Sequence, residues 1–264
     1  MSRRYIAHRV ARAALLLALV AQPVCAVDAQ SIRVVLVGDS TMATQTGYGD
    51  ALCGRFQPAV FCLNMAKGGR SSASYRAEGS WDHVMKTLSD HGQCRATYVL
   101  IQFGHNDQPG KPGRSTDLKT EFPANMARYV QEVKSSGAIP VVVTPLVRRN
   151  FQGTELQNDL HPWAEATRQM AATEHVPLLD LNADSFAAVQ EMGSTEADSL
   201  AMAPLGQEQK EGDANAAQKT HGNGYRGFDR THLGAKGAAF FSLLVEKELS
   251  AALPSIVSAF KKED

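Results

Sequence analysis

Four short segments carry side chains that could act together on an acyl group. Gly38-Asp39-Ser40-Thr41 offers a serine hydroxyl and Gly68-Gly69-Arg70-Ser71 a glycine turn. Gly104-His105-Asn106-Asp107 offers a side-chain amide, and Asp229-Arg230-Thr231-His232 a carboxylate three residues before an imidazole. A serine hydroxyl is a weak nucleophile until a base removes its proton, so Ser40 is the candidate nucleophile and His232 the candidate base. Such a histidine needs a partner that fixes its tautomer and stabilises the imidazolium, and Asp229 can turn back to it. Attack on an ester carbonyl creates an oxyanion that needs preorganised donors. The main-chain N–H groups of Ser40 and Gly69 and the amide of Asn106 could supply three. The donor at Gly69 must approach the substrate closely, and glycine permits the backbone angles this takes. The base must be neutral to act, so activity is expected to fall below about pH 6.

Each segment also has an ordinary reading. Asp and Ser cap helices, so Gly-Asp-Ser alone says little, and Asp39 can shape the turn as easily as take part in chemistry. His232 could be a surface residue at a helix start, and Asn106 a turn residue. His105 and His221 are rival bases, the first beside Asn106 and the second in an irregular stretch. What separates the readings is where the four segments fall among the elements.

Five nearly continuous apolar, β-branched runs, at 32–37, 60–63, 97–103, 139–144 and 176–181, predict strands covered on both faces. Helical periodicity occupies 118–135, with Phe122, Met126, Tyr129, Val130 and Val133 on one stripe, and recurs over 163–175, 184–192 and 235–253. This alternation predicts a three-layer α/β sandwich with a mostly parallel sheet. Sites in such sheets collect at the carboxyl ends of the strands. The first three segments follow the first three runs, and the fourth lies between the fifth run and the last helix. The least structured stretch is 193–228, and a loop of that length is usually functional or disordered. Within it, Gly222-Asn223-Gly224-Tyr225-Arg226-Gly227 has dinucleotide-fingerprint spacing, but no strand precedes it and no apolar helix opens on it. The absence of a Gly-x-Ser-x-Gly elbow argues against the ordinary α/β-hydrolase fold.

Composition sets the frame. The 264 residues carry 27 basic and 27 acidic side chains and are 44% apolar, which rules out bulk disorder and gives no electrostatic reason to expect a nucleic-acid partner. Residues 1–29 have the pattern of a secretory signal peptide: Arg3, Arg4, Arg9 and Arg12, then the nine-residue apolar run 13–21, then small-residue cleavage patterns ending at Ala26 and Ala29. Nine apolar residues are too few for a bilayer span, which takes roughly 20. The expected mature product is therefore one domain, 30–264, exported to the periplasm or the medium and without stable membrane insertion. Export allows a disulfide among Cys53, Cys62 and Cys94 and leaves one thiol over. Their spacing fits no zinc pattern, and neither a metal nor a cofactor is expected.

The four segments resemble the blocks of the SGNH (GDSL-type) hydrolases, a family named for a catalytic Ser, Gly, Asn and His. That resemblance implies Ser40 as nucleophile, Gly69 and Asn106 as oxyanion donors, and Asp229 with His232 completing a triad. Within the family, Gly38-Asp39-Ser40-Thr41-Met42-Ala43, Gly69-Arg70-Ser71-Ser72 and Thr144-Pro145-Leu146-Val147-Arg148-Arg149 are similar to rhamnogalacturonan acetylesterases. Ser72 departs from the alanine expected there. The resemblance implies a flavodoxin-like fold with a five-stranded parallel sheet, and removal of acetyl groups from a plant cell-wall polysaccharide.

The strand-end loops carry Lys67, Arg70, Arg76, Arg148, Arg149, Arg226 and Arg230. A basic rim would attract an anionic substrate such as a galacturonate-containing pectin, with Arg70, Arg148 and Arg149 as its contacts. The same arginines could instead pair with local carboxylates. Trp163, Tyr225 and Phe228 could stack on sugar rings or belong to the core. Two other readings stand beside the acetylesterase: a broad small-acyl esterase or thioesterase, and a catalytically silent carbohydrate-binding module.

Overall fold

The computed structural model describes residues 31–89, 94–202 and 228–262. The signal-peptide expectation over 1–29, His221, and Tyr225 and Arg226 with their glycine-rich stretch lie outside the described residues. In chain order the elements are β1 (Ile32–Gly38), α1 (Gly49–Arg55), β2 (Phe61–Asn64), α2 (Ser74–Ala77), α3 (Ser80–Ser89), β3 (Ala96–Gln102) and α4 (Glu121–Ser135). There follow β4 (Ile139–Val143), β5 (Phe151–Gln152), β6 (Glu155–Leu156), α5 (His161–Glu174), β7 (Leu178–Leu179), α6 (Leu181–Asp198) and α7 (Ala235–Ala252).

Five strands form the expected parallel sheet, in the order β2-β1-β3-β4-β7, while β5 and β6 make a separate antiparallel pair. The central strands are apolar on both faces because both faces are covered. Val34 and Leu36 of β1 pack with Leu52 of α1 and Phe241, Val245 and Leu249 of α7. Val35 and Val37 point the other way, into a core with Trp81, Val84 and Leu88 of α3 and Met126, Tyr129 and Val133 of α4. Side chains alternate across a strand, so one seven-residue run serves both cores and the molecule becomes three layers.

Element ends follow local chemistry. Only Leu178 and Leu179 of the expected 176–181 strand join the sheet. Pro177 has no N–H to donate, and Asp180 already caps α6 by accepting from the main-chain N–H of Ala183. The helix that follows runs past the expected end at residue 192, through a kink at Gly193 (φ 75°), to Asp198. A disulfide joins Cys53 of α1 to Cys62 of β2, and Cys94 is the free thiol. Closing so short a loop contributes about 2–3 kcal/mol in the chain-entropy account.

The strand order fixes where a site can form. The chain leaves β1 for β2 on one side and then returns to β3 on the other, so the topology reverses between β1 and β3. Their ends lie level, Gly38 opposite Gln102. Open α/β sheets bind ligands at this crevice.

Candidate active site

Ser40 follows the end of β1, buried to 7% exposure at the crevice. Its turn is held by Asp39, whose Oδ1 accepts from the main-chain N–H of Thr41 at 2.9 Å and from its hydroxyl at 2.8 Å. The hydroxyl of Thr46 donates to the Ser40 carbonyl at 2.6 Å. Beneath the turn runs a buried polar chain. Tyr48 donates to Gln102 at 2.8 Å, Gln102 to the Thr41 hydroxyl at 2.7 Å, and Thr41 to Asp39. Oδ2 of Asp39 faces Nδ1 of His105 at 3.4 Å. Burial pushes the His105 ring down, towards the neutral form, although Asp39 opposes it. Such a network makes the turn costly to distort. The His105 ring, named from sequence as a rival base, is thus buried under the turn and faces Asp39.

His232 brings the fourth segment across to the serine. Its Nε2 lies 2.9 Å from Ser40 Oγ, and its Nδ1 lies 2.8 Å from Asp229 Oδ2. The other oxygen of Asp229 accepts from the main-chain N–H groups of Thr231 and His232 at 2.9 and 3.0 Å. Partial burial pushes the Asp229 carboxyl up. Bonds from the His232 ring and from the two N–H groups outweigh burial and hold it well below the ordinary carboxylate range. An ionised acceptor on Nδ1 keeps that nitrogen protonated and leaves Nε2 able to accept the serine proton.

Gly69 and Asn106 meet beside Ser40. A Cβ on Gly68 would lie 3.8 Å from Ser40 Cβ, so the glycine turn passes next to the hydroxyl. Gly69 has φ 76°, which a side chain would strain. Asn106, 4% exposed, donates one amide proton to the Arg70 carbonyl at 3.0 Å and keeps a second. Among the described residues no hydrogen bond uses the main-chain N–H of Ser40 or Gly69. The turn is fastened from behind by Asp107, which accepts from the Ser72 N–H and from the hydroxyls of Ser72 and Thr116. Burial lifts the Asp107 carboxyl to about 6 against those bonds. The departure at Ser72 thus has a task, because its hydroxyl also accepts from Asn125 at 3.1 Å. Arg114, which sequence reasoning missed, reaches both Gly69 O and Asn106 Oδ1 at 3.4 Å. Nothing in its local pattern, Pro112-Gly113-Arg114-Ser115, marks it.

The basic rim is largely paired within the chain. Lys67 and Arg70 bind Glu78, Arg76 binds Glu132, Arg148 binds Asp159, and Arg230 binds Asp198. Arg70 and Arg148 still border the crevice, Arg70 through its carbonyl on Asn106 and Arg148 through Nε on the Thr231 hydroxyl. Arg149 does not. Its side chain is fully buried and bonded to main-chain carbonyls, which corrects its expected place on the rim. Trp163, 7% exposed, belongs to the core beside Phe103 and Met170 rather than to a sugar platform. Phe228 lies under the guanidinium of Arg230.

A family model, the GDSL-like lipase/acylhydrolase family, matches residues 36–240, a span that opens inside β1 and closes inside α7. The chain belongs to that family. It is accordingly a carboxylic ester hydrolase of the GDSL type. A "probable rhamnogalacturonan acetylesterase", YesY of Bacillus subtilis, is 30% identical over 168 residues, 61% of this chain and 75% of the relative. Rhamnogalacturonan acetylesterase RhgT of the same organism is 32% identical over 177 residues, 64% of this chain and 73% of the relative. Among solved structures, the Bacillus subtilis protein YXIM superposes with a TM-score of 0.65 at 21% identity, covering 88% of this chain and 58% of that one. Axe2, an acetylxylan esterase from Geobacillus stearothermophilus, gives 0.57 at 15% identity, covering 82% of this GDSL chain and 93% of its own. Both likenesses concern the fold.

Proposed function

We propose that this chain is an exported serine esterase that removes O-acetyl groups from plant cell-wall polysaccharide, rhamnogalacturonan foremost. The observation that carries the reading is the single imidazole spanning Ser40 Oγ at 2.9 Å and Asp229 Oδ2 at 2.8 Å, at the crevice between β1 and β3. His232 takes the Ser40 proton as Oγ attacks the acetyl carbon. Oxygen charge then develops towards the N–H groups of Ser40 and Gly69 and the second amide proton of Asn106. The imidazolium returns the proton to the departing sugar oxygen, leaving acetyl-Ser40. Water, deprotonated by His232, attacks that ester, and acetate leaves as Ser40 regains its proton.

The substrate half of the proposal is supported by two relatives named as rhamnogalacturonan acetylesterases. Export is supported by the leader pattern at 1–29 and by the Cys53–Cys62 disulfide. An acetylated polysaccharide or oligosaccharide is then the partner. A silent binding module is disfavoured because binding alone gives no reason to line up a nucleophile, a base and a carboxylate.

The test is acetate release from acetylated rhamnogalacturonan, acetylated xylan and a neutral aryl acetate. Fastest release from rhamnogalacturonan is expected. Release from the aryl acetate alone would move the chain to the broad small-acyl esterases. Asn106→Ala is expected to lower kcat by 10²–10³, roughly the cost of one oxyanion donor. A change confined to KM would make Asn106 a binding residue instead. Arg70 is the more exposed of the two crevice arginines, at 37% against 11% for Arg148. A hydrogen bond to a charged group contributes about 1.5–3 kcal/mol. Arg70→Ala should therefore weaken action on the acidic polysaccharide about tenfold more than on the aryl acetate. Equal losses on both would remove substrate carboxylates from its role.

A further inference from the structure

Arg149 is the largest fully buried side chain of the described residues, and its hydrogen bonds go to one stretch of backbone. Its main-chain N–H donates to Arg230 O at 3.0 Å. Nη1 donates to Thr231 O at 3.4 Å, and Nη2 to Asp229 O at 3.3 Å and His232 O at 2.7 Å. Four consecutive carbonyls, 229 to 232, thus converge on one residue. Carbonyl dipoles aimed at one point repel each other unless a cation sits there, and a guanidinium is the side chain whose planar fork meets several at once. Burying that cation costs several kcal/mol before its bonds form. Burial pulls Arg149 down to about 10, against Asp229 and Asp198, which still leaves it charged at neutral pH.

The segment so gathered is the one that carries His232, and it is held from other sides as well. Asp229 Oδ1 fixes the N–H groups of Thr231 and His232. Arg230 makes two bonds to Asp198, at 2.9 and 2.8 Å, at the end of α6. The N–H of Leu233 donates to Thr46 O at 2.9 Å, and Thr46 in turn holds the Ser40 carbonyl. Arg149 supplies the inner anchor. Its neighbour Arg148 faces the crevice, so adjacent residues of one type have different tasks.

We propose that Arg149 is a positioning residue whose guanidinium gathers the carbonyls of Asp229, Thr231 and His232 and so sets the His232 imidazole on Ser40, without touching substrate. This rests on the Ser40–His232–Asp229 reading above. A catalytic group must be held to within roughly 0.5 Å, and a displacement of about 1 Å can cost 10²-fold. The effect should fall on kcat, and alike on every ester.

Arg149→Lys keeps the charge but loses the fork, and Arg149→Met loses both. Each would be assayed on the neutral aryl acetate and on acetylated rhamnogalacturonan, with rates divided by the number of sites labelled by a serine-reactive phosphonate. That count removes molecules that fail to fold. The expected result is a per-site kcat about tenfold lower for Lys and about a hundredfold lower for Met, with KM within about twofold of wild type on both substrates. Phosphonate labelling should slow by the same factors. A per-site kcat for Arg149→Lys within about twofold of wild type would overturn the proposal, as would a KM increase confined to the acidic polysaccharide. Wild-type protein that hydrolyses the ester without labelling at Ser40 would instead defeat the triad reading itself.

Discussion

Ser40→Ala is expected to leave a folded protein whose turnover on any acetate ester is lower by a factor on the order of 10⁶. Folding should survive because the turn does not depend on the hydroxyl. Asp39 holds Thr41 by two bonds, and Thr46 holds the Ser40 carbonyl. What disappears is the oxygen 2.9 Å from His232 Nε2, the atom proposed to carry the acetyl group between the two half-reactions. Oxyanion donors and substrate binding stay in place, so a residue of catalysis over water should remain. Circular dichroism with acetate release checks both halves. Turnover within about tenfold of wild type would assign the chemistry to another nucleophile.

Asp229→Asn is expected to cost about 10⁴ in kcat with little change in KM. An amide oxygen can keep the contacts of Oδ1 to the N–H groups of Thr231 and His232, so the loop should hold its shape. The amide nitrogen then faces His232 Nδ1, where Oδ2 lies at 2.8 Å in the native protein. Two donors cannot meet there, so Nδ1 becomes the acceptor and the ring proton moves to Nε2. A protonated Nε2 cannot accept from Ser40. The loss therefore comes from the tautomer, with the geometry retained. Per-site rates, counted by phosphonate stoichiometry, separate this from misfolding; a loss below about tenfold would make Asp229 a loop anchor only.

The parts of the molecule legible in the sequence are those where residue type alone decides. β1, β3 and β4 are nearly continuous apolar runs rich in β-branched residues because both faces are buried. The polar segments following β1, β2 and β3 stand out against such runs, which makes Ser40, the glycine turn and Asn106 visible. α1 was not visible: it has seven residues and one fully buried leucine, too little for a period to register. α3 does carry a stripe of Trp81, Val84 and Leu88, but at ten residues it is the shortest of the helices with such a stripe. Arg148 and Arg149 mark the deeper limit. Both are arginines after the same strand, and only tertiary placement turns one side chain to the crevice and the other to three main-chain carbonyls. Trp163 is similar, since an indole suits a sugar platform and a core equally until its neighbours Phe103 and Met170 are known.

Electrostatic complementarity is also less simple than the count of basic residues suggests. The rim cations named from sequence and described here each have a partner in the chain. Any attraction for an acidic polysaccharide must therefore come from spare donors on Arg70 and Arg148, from Arg114 beside Asn106, and from Lys111, which donates to the His105 carbonyl at 2.6 Å. Burial and the neighbouring Arg148 and Arg114 pull the Lys111 ammonium down, a sign that like charges crowd this edge.

The most direct test of the central claim is to map a serine-reactive phosphonate on the protein by peptide mass spectrometry, with and without acetylated rhamnogalacturonan oligosaccharide. The account predicts one adduct, on Ser40, forming in step with the loss of acetate release and slowed by the oligosaccharide. An adduct on another residue, or full acetate release from protein completely labelled at Ser40, would contradict it.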